Sequence, residues 1–147
     1  MRISEQGIAL IKESEGFSAT CYRCPAGKWT IGYGHVVRPD DAIKNKLSAA
    51  QAEILLQQDV AETEQAVNRL VTIELNQNQF DALVVFAYNI GIGAFGHSTL
   101  LRLLNNGNMT AVSGEFLRWV YAGGKKLDGL VRRRQAEAAL FSALSKS

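Results

Sequence analysis

The chain changes its sequence pattern along its length, and this change restricts the folds that it can adopt. Residues 4–15 have apolar side chains three and four positions apart, which is typical of an amphipathic helix. Between residues 21 and 35, β-forming residues and glycines cluster instead. From Ser48 onward the helical spacing returns and continues. The pattern therefore predicts an α+β fold: a helix, a small antiparallel sheet of two or three strands, a long connecting helix and a helical bundle.

Capping signals predict where the helices begin and end. Ser4 is the expected N-cap of the first helix, and Gly16 is its expected C-terminal stop. Ser48 with Gln51 has the spacing of a capping box, which predicts the start of a helix that continues to residue 70. Four more helices are expected, from Asn76 to Gly91, from Ser98 to Asn106, near 109–121 and near 129–144.

Length and composition favour one compact domain. The chain has 147 residues, of which 47% are hydrophobic and 20% charged. We expect a single domain over 1–147, with a β-containing lobe at about 16–60 and a helical lobe at about 71–147 that includes the N-terminal helix. No apolar run reaches the roughly 20 residues of a membrane span, and the first residues do not read as a signal peptide. Synthesis in the cytoplasm, no stable membrane insertion and a monomeric state are the expectations.

Charge argues against nucleic-acid binding. The net charge is only +2, although residues 118–147 carry 7 Lys and Arg against 2 Asp and Glu. The low net charge and the absence of interleaved aromatic residues from the arginine run at 132–134 do not indicate a nucleic-acid interface. A basic C-terminal segment can bind an anionic polymer or a membrane surface. It is equally consistent with an ordinary helix face exposed to solvent.

The two cysteines, Cys21 and Cys24, are spaced as in redox and zinc motifs. Two thiolates do not fill a tetrahedral zinc site, so no metal is expected. A thioredoxin-like motif opens a helix after a strand, whereas these cysteines precede a Pro-Ala-Gly turn. The spacing alone therefore supports neither function.

Glu15 is the candidate for acid chemistry. It lies at the last turn of the first helix, on the apolar face. Burial there would raise the pKa of the carboxyl, as a general acid in glycoside hydrolysis requires. Position alone equally allows a glutamate that ends a helix and reaches solvent.

Several separated motifs resemble one known family. They are the helix end Glu15-Gly16-Phe17, the strand Thr30–His35, the segment Leu75–Leu83 and the segment Gly129–Arg134 with Glu137 and Phe141 after it. Together they resemble the phage lysozymes of the T4 and P21/P22 endolysin type over nearly the full length. The resemblance implies hydrolysis of the β-1,4 bond between N-acetylmuramic acid and N-acetylglucosamine in peptidoglycan, by an enzyme that needs no cofactor.

The resemblance also assigns roles to three residues. The family's triad is Glu, eight residues, Asp or Cys, five residues, then Thr, and the same spacing here implies Glu15, Cys24 and Thr30. Cys24 stands where many relatives have aspartate, so its thiolate is the implied active form. A disulfide to Cys21 would block it; otherwise Cys21 is expected to pack. Thr30 is implied to activate water, and the resemblance favours inversion over retention.

Three supporting residues are implied as well. A buried ion pair between His35 and Asp59 is expected to be structural rather than catalytic. Arg133, in the run 132–134, is expected to reach Glu15 and orient its carboxyl. The other two arginines are expected to face solvent or phosphate-bearing wall polymers.

Two rival functions remain at this point. A lytic transglycosylase uses one glutamate on the same polymer and needs neither Cys24 nor Thr30. A catalytically inactive wall-binding module would keep the fold and lose the chemistry. For the endolysin function, the resemblance implies release by a holin and action on the periplasmic cell wall.

Overall fold

A computed structural model describes residues 1–23, 27–38 and 46–143 of the chain. It begins with helix α1, Glu5–Glu15, and the side chain of the N-cap Ser4 accepts a hydrogen bond from the backbone N–H of Gly7. The helix stops at Gly16, which has a φ of 68° that glycine adopts without strain. Both ends are as predicted, so Glu15 is the last helical residue.

A three-stranded antiparallel sheet follows α1. Its strands, in the same order along the chain and across the sheet, are β1 (Ser18–Arg23), β2 (Trp29–Gly32) and β3 (His35–Val36). Thr30 on β2 pairs with Val36 on β3, and a turn through Tyr33 and Gly34 joins these two strands. The prediction of a small sheet of two or three strands is confirmed.

Helix α2, Ala49–Leu70, connects the sheet to the remaining helices. Ser48 and Gln51 form the predicted capping box, in which each side chain accepts a hydrogen bond from the other's backbone N–H. The 22 residues of α2 extend over about 33 Å. Near its start, Ala52 packs against the backbone of Gly32 in the sheet. Of the helices in the described ranges, none is long and apolar enough to cross a membrane.

Helix α3, Gln77–Ile90, is the centre of the helical part. Every residue from Phe80 to Ala87 is buried. The helices that follow it are α4 (Ile92–Gly96), α5 (Thr99–Asn105), α6 (Met109–Phe116) and α7 (Asp128–Ser142). Both α1 and α7 pack directly on α3. The predicted α+β class is confirmed, and α3 lies between the two helices that carry Glu15 and the arginine run.

The sequence prediction of uninterrupted helices after residue 48 is wrong in one segment. The helix expected near 109–121 ends at Phe116, and a hairpin of β4 (Tyr121–Ala122) and β5 (Lys125–Lys126) follows it. The hairpin forms because Gly123 and Gly124 have φ values of 58° and 78°, the conformation that a two-residue hairpin turn requires. The short helix α4 was not predicted either.

A buried carboxylate fastens α1 to α3. Asp81 of α3 is fully buried and accepts hydrogen bonds from the backbone N–H of Ser4 at 3.0 Å, from the Ser4 hydroxyl and from the Gln77 amide at 2.7 Å. Gly7 permits this close approach, because a Cβ there would lie 3.1 Å from the Asp81 carboxyl carbon. The helix that carries Glu15 is therefore held at its N-terminal end by the core.

Candidate active site

The Glu15 carboxyl lies between the sheet and the helices, and its side chain is 13% exposed. Its Oε1 atom accepts two hydrogen bonds, from Arg133 Nη1 at 3.0 Å and from Asn89 Nδ2 at 3.1 Å. Arg133 also donates to the backbone carbonyl of Ser14. The side chain is thus held from α3 and α7, and it does not extend freely into solvent.

The other carboxylate oxygen of Glu15 faces the turn between β2 and β3. At Gly34, which has a φ of 80°, an added Cβ would lie 2.6 Å from Glu15 Oε2. The approach of these two elements therefore requires glycine for its conformation and for its lack of a side chain. The tight turn brings the edge of the sheet to the end of α1.

Two side chains hold this turn in place. The Tyr88 hydroxyl donates a 2.7 Å hydrogen bond to the backbone carbonyl of Tyr33, and burial raises the pKa of Tyr88 far above its usual value. Lys12 lies over the Tyr33 ring, 5.4 Å from its centre, and forms an ion pair with Glu53 at 2.7 Å. The turn that faces Glu15 is therefore tied to α1, α2 and α3 together.

Thr30 is buried on β2, in the same hairpin as Gly34. Its hydroxyl donates a 3.1 Å hydrogen bond to the backbone carbonyl of Lys28. The proton of the hydroxyl is therefore donated to the residue directly before β2, and the oxygen lone pairs are left as acceptors.

Of the two cysteines, Cys24 lies outside the described residues. Cys21 lies on β1, is exposed and has a free thiol. The expectation that Cys21 packs is wrong, because Cys21 is exposed in a part of β1 where the neighbouring Thr20 is exposed as well. Among the residues in the described ranges, no three metal-ligating side chains lie close enough to hold an ion.

His35 and Asp59 lie together, with 2.7 Å between His35 Nδ1 and Asp59 Oδ2. Their side chains are 6% and 18% exposed. This contact joins β3 to α2 and does not include Glu15 or Thr30. The geometry is that of a link between the sheet and the connecting helix.

The three consecutive arginines of α7 have three different environments. Arg132 is exposed, and Arg133 contacts Glu15. The expectation that Arg134 faces solvent or a wall polymer is wrong, because it is fully buried beside Glu137. Successive residues of a helix are about 100° apart, so a third arginine in the run necessarily turns toward α3.

Sequence reasoning missed the roles of Asn89 and Glu137. Arg134 Nη2 donates to Asn89 Oδ1 at 2.7 Å and to Glu137 Oε2 at 3.0 Å, and Arg134 Nε lies 2.8 Å from Glu137 Oε1. Burial raises the pKa of Glu137 to about 7, and the Arg134 charge opposes this rise. The three-residue spacing from Arg134 to Glu137 on one helix was the signal that could have revealed the pair.

This chain is similar to known proteins over the helices and strands that form the site. The profile of a family described as phage lysozyme matches residues 12–137, a range that includes Glu15, Asn89 and Arg133. The chain is 44% identical to the endolysin of Acyrthosiphon pisum secondary endosymbiont phage 1, in an alignment that covers 97% of this chain and 99% of that protein.

A second relative is longer. The chain is 46% identical to the endolysin of Bacillus phage PZA, in an alignment that covers 97% of this chain and 56% of that protein. This chain therefore spans little more than half of the second relative.

A solved structure shows the same similarity. The muramidase domain of SpmX from Asticaccaulis excentricus superposes with a TM-score of 0.85 at 40% identity, covering 97% of this chain and 99% of that one. The likeness thus includes α1, the sheet and the helical bundle together.

Proposed function

Because the chain belongs to the phage lysozyme family, we propose that it cleaves the β-1,4 bond between N-acetylmuramic acid and N-acetylglucosamine in bacterial peptidoglycan. It is an enzyme of the lysozyme class, a glycoside hydrolase. The observation that carries the proposal is the state of Glu15, which is 13% exposed and held through Oε1 while Oε2 faces the sheet.

Glu15 acts as the general acid in this proposal. It transfers its proton to the oxygen that joins the two sugars, and the bond from that oxygen to the anomeric carbon breaks. Water then adds to the anomeric carbon, which generates a reducing end. Arg133 orients the carboxyl through its contact with Oε1 and is not itself the acid.

Thr30 and Cys24 complete the proposed site. The Thr30 hydroxyl donates to the carbonyl of Lys28, so its oxygen accepts a hydrogen bond from a water and leaves a lone pair of that water free for attack. Cys24, as the thiolate, stabilises the positive charge that develops at the sugar or accepts the proton of that water. His35 and Asp59 serve the structure by joining β3 to α2.

The reaction is tested by analysing the fragments released from purified peptidoglycan. We expect muropeptides with reducing ends, because water is the proposed nucleophile. Anhydro-muramic ends would instead establish a lytic transglycosylase, in which a hydroxyl of the sugar makes the attack. Binding to peptidoglycan without release of fragments would establish an inactive wall-binding module.

Cys24 gives a prediction that separates its role from that of Glu15. Replacing Cys24 with alanine should lower the rate of hydrolysis by about 10²-fold or more, because the charge-stabilising group is lost. Replacing Cys24 with aspartate should retain activity and confer resistance to thiol-alkylating reagents. Rates on peptidoglycan with and without iodoacetamide provide the measurement. A fully active alanine variant would remove Cys24 from the site, and Cys21→Ala is the matched control.

We propose further that the enzyme is made in the host cytoplasm, acts as a monomer and reaches the periplasmic wall after a holin opens the inner membrane. The support is the family membership and the endolysin relatives.

A further inference from the structure

We propose that Asn89 is a positioning residue for the general acid, and that the buried Arg134–Glu137 pair holds the Asn89 amide in the orientation that donates to Glu15. This inference rests on the proposed function of Glu15. It concerns three residues on α3 and α7 that lie behind the site and extend it into the core.

The orientation of the Asn89 amide follows from its neighbours. Arg134 Nη2 lies 2.7 Å from Asn89 Oδ1, and Asn89 Nδ2 lies 3.1 Å from Glu15 Oε1. A guanidinium has only donors, so it can face only the oxygen of a carboxamide. The amide nitrogen must then point the other way, toward the carboxylate.

Arg134 is itself held rigidly. The side chains of Arg134 and Glu137 are 1% and 2% exposed, with 2.8 Å between Arg134 Nε and Glu137 Oε1. The guanidinium also lies over the Phe86 ring, 5.2 Å from its centre. A planar group with a partner along its edge and a ring on its face has little freedom to rotate. The guanidinium that orients the Asn89 amide is therefore itself held in the packed core.

This arrangement distinguishes the two oxygens of Glu15. Oε1 receives N–H donors from both Asn89 and Arg133, which occupy its lone pairs. The transferable proton therefore resides on Oε2, the oxygen that faces Gly34. Asn89 thus determines that the oxygen facing the turn between β2 and β3 delivers the proton.

Asn89→Asp is the decisive variant. One carboxylate oxygen can still accept from Arg134, while the other has no proton to donate and repels Glu15 Oε1. We expect kcat on soluble, uncrosslinked peptidoglycan strands to fall by about 10- to 100-fold, with KM changed by less than about 3-fold, each enzyme being measured at its own optimal pH. If Asn89 served only as an acceptor for Arg134, the aspartate variant would retain kcat, and this result would overturn the proposal.

Asn105 provides a matched control. Its Oδ1 accepts from the backbone N–H of Thr72 at 2.9 Å and its Nδ2 donates to the carbonyl of Leu70 at 3.0 Å, so it uses both ends of its amide away from Glu15. Asn105→Asp loses a donor in the same way and should leave kcat unchanged. An equal fall in kcat in both variants would attribute the effect to general destabilisation and contradict the proposal.

A second measurement does not depend on turnover. The side-chain amide signals of Asn89 in a ¹H–¹⁵N NMR spectrum should shift on Glu15→Gln, whereas those of Asn105 should not. Unshifted Asn89 signals would show that the two groups are not coupled. If the wild-type chain releases no fragments from peptidoglycan, the proposed function fails, and this spectrum alone decides whether Asn89 positions Glu15.

Discussion

Glu15→Gln is expected to lower the rate of peptidoglycan hydrolysis by about 10³-fold while leaving the fold intact. Glutamine has the same shape as glutamic acid but no carboxyl proton to transfer. Its side-chain oxygen can still accept from Asn89 and Arg133, the two donors that contact Glu15 Oε1. The effect should therefore fall on the chemical step, with little change in stability.

Clearing of outer-membrane-permeabilised Gram-negative cells measures the loss, and co-sedimentation with insoluble peptidoglycan tests whether binding is retained. Glu13→Gln is the matched control, because Glu13 lies on the same helix, is exposed and undergoes the same chemical change. A loss of less than tenfold in Glu15→Gln would exclude Glu15 as the general acid.

Arg134→Met is expected to lower the free energy of unfolding by about 3–5 kcal/mol at pH 8. Methionine fills much of the volume of the arginine side chain but has no charge. Glu137, whose side chain is 2% exposed, then becomes a buried carboxylate without its ionic partner. This loss is a large part of the roughly 5–15 kcal/mol that stabilises a typical domain, so urea unfolding should be measured at low temperature.

The size of this loss should depend on pH. Burial raises the pKa of Glu137 to about 7, and Arg134 opposes the rise, so removing Arg134 raises the pKa further. A carboxyl with a raised folded-state pKa contributes stability at low pH that is lost as the pH rises through that pKa. As the pH rises above about 7, the wild type loses no further stability, whereas Arg134→Met continues to lose stability because the pKa of its Glu137 is higher. The difference in the free energy of unfolding between the wild type and Arg134→Met should therefore be about 1 kcal/mol smaller at pH 5.5 than at pH 8.

The double variant Arg134→Met with Glu137→Leu is the control for this prediction. Removing both charges leaves no unpaired carboxylate, so the double variant should recover most of the lost stability and show no extra loss at pH 8. A double variant that is as unstable as Arg134→Met would attribute the effect to poor packing. A single-variant loss of less than about 1 kcal/mol would contradict the importance of the pair.

The helix ends were predictable because the groups that form them are close along the chain. Ser4, Gly16 and Ser48 act on backbone groups within about one helical turn. The second hairpin was missed, although the adjacent glycines Gly123 and Gly124 are themselves a hairpin signal. Helical spacing on both sides of the hairpin outweighed that local signal.

The site was predictable only in part. The expected contact between Arg133 and Glu15 is present, whereas Arg134, which was expected to face solvent or a wall polymer, is buried. Which of the three faces Glu15 depends on the rotation of α7 about its axis, and packing on α3 determines that rotation. No role could be predicted for Asn89, because its partners Glu15 and Arg134 come from two other helices.

The sequence by itself therefore determined the first sheet, most of the helices and several of their ends, since these depend on local spacing, caps and residue type, and it indicated the Glu15 carboxyl as the candidate acid. Only the tertiary structure decided which donors hold that carboxyl. Glu15 and Arg133 are 118 positions apart, and their 3.0 Å contact exists because α1 and α7 both pack on α3. A hydrogen bond between distant residues depends on ångström-scale packing of whole helices, which local patterns do not encode.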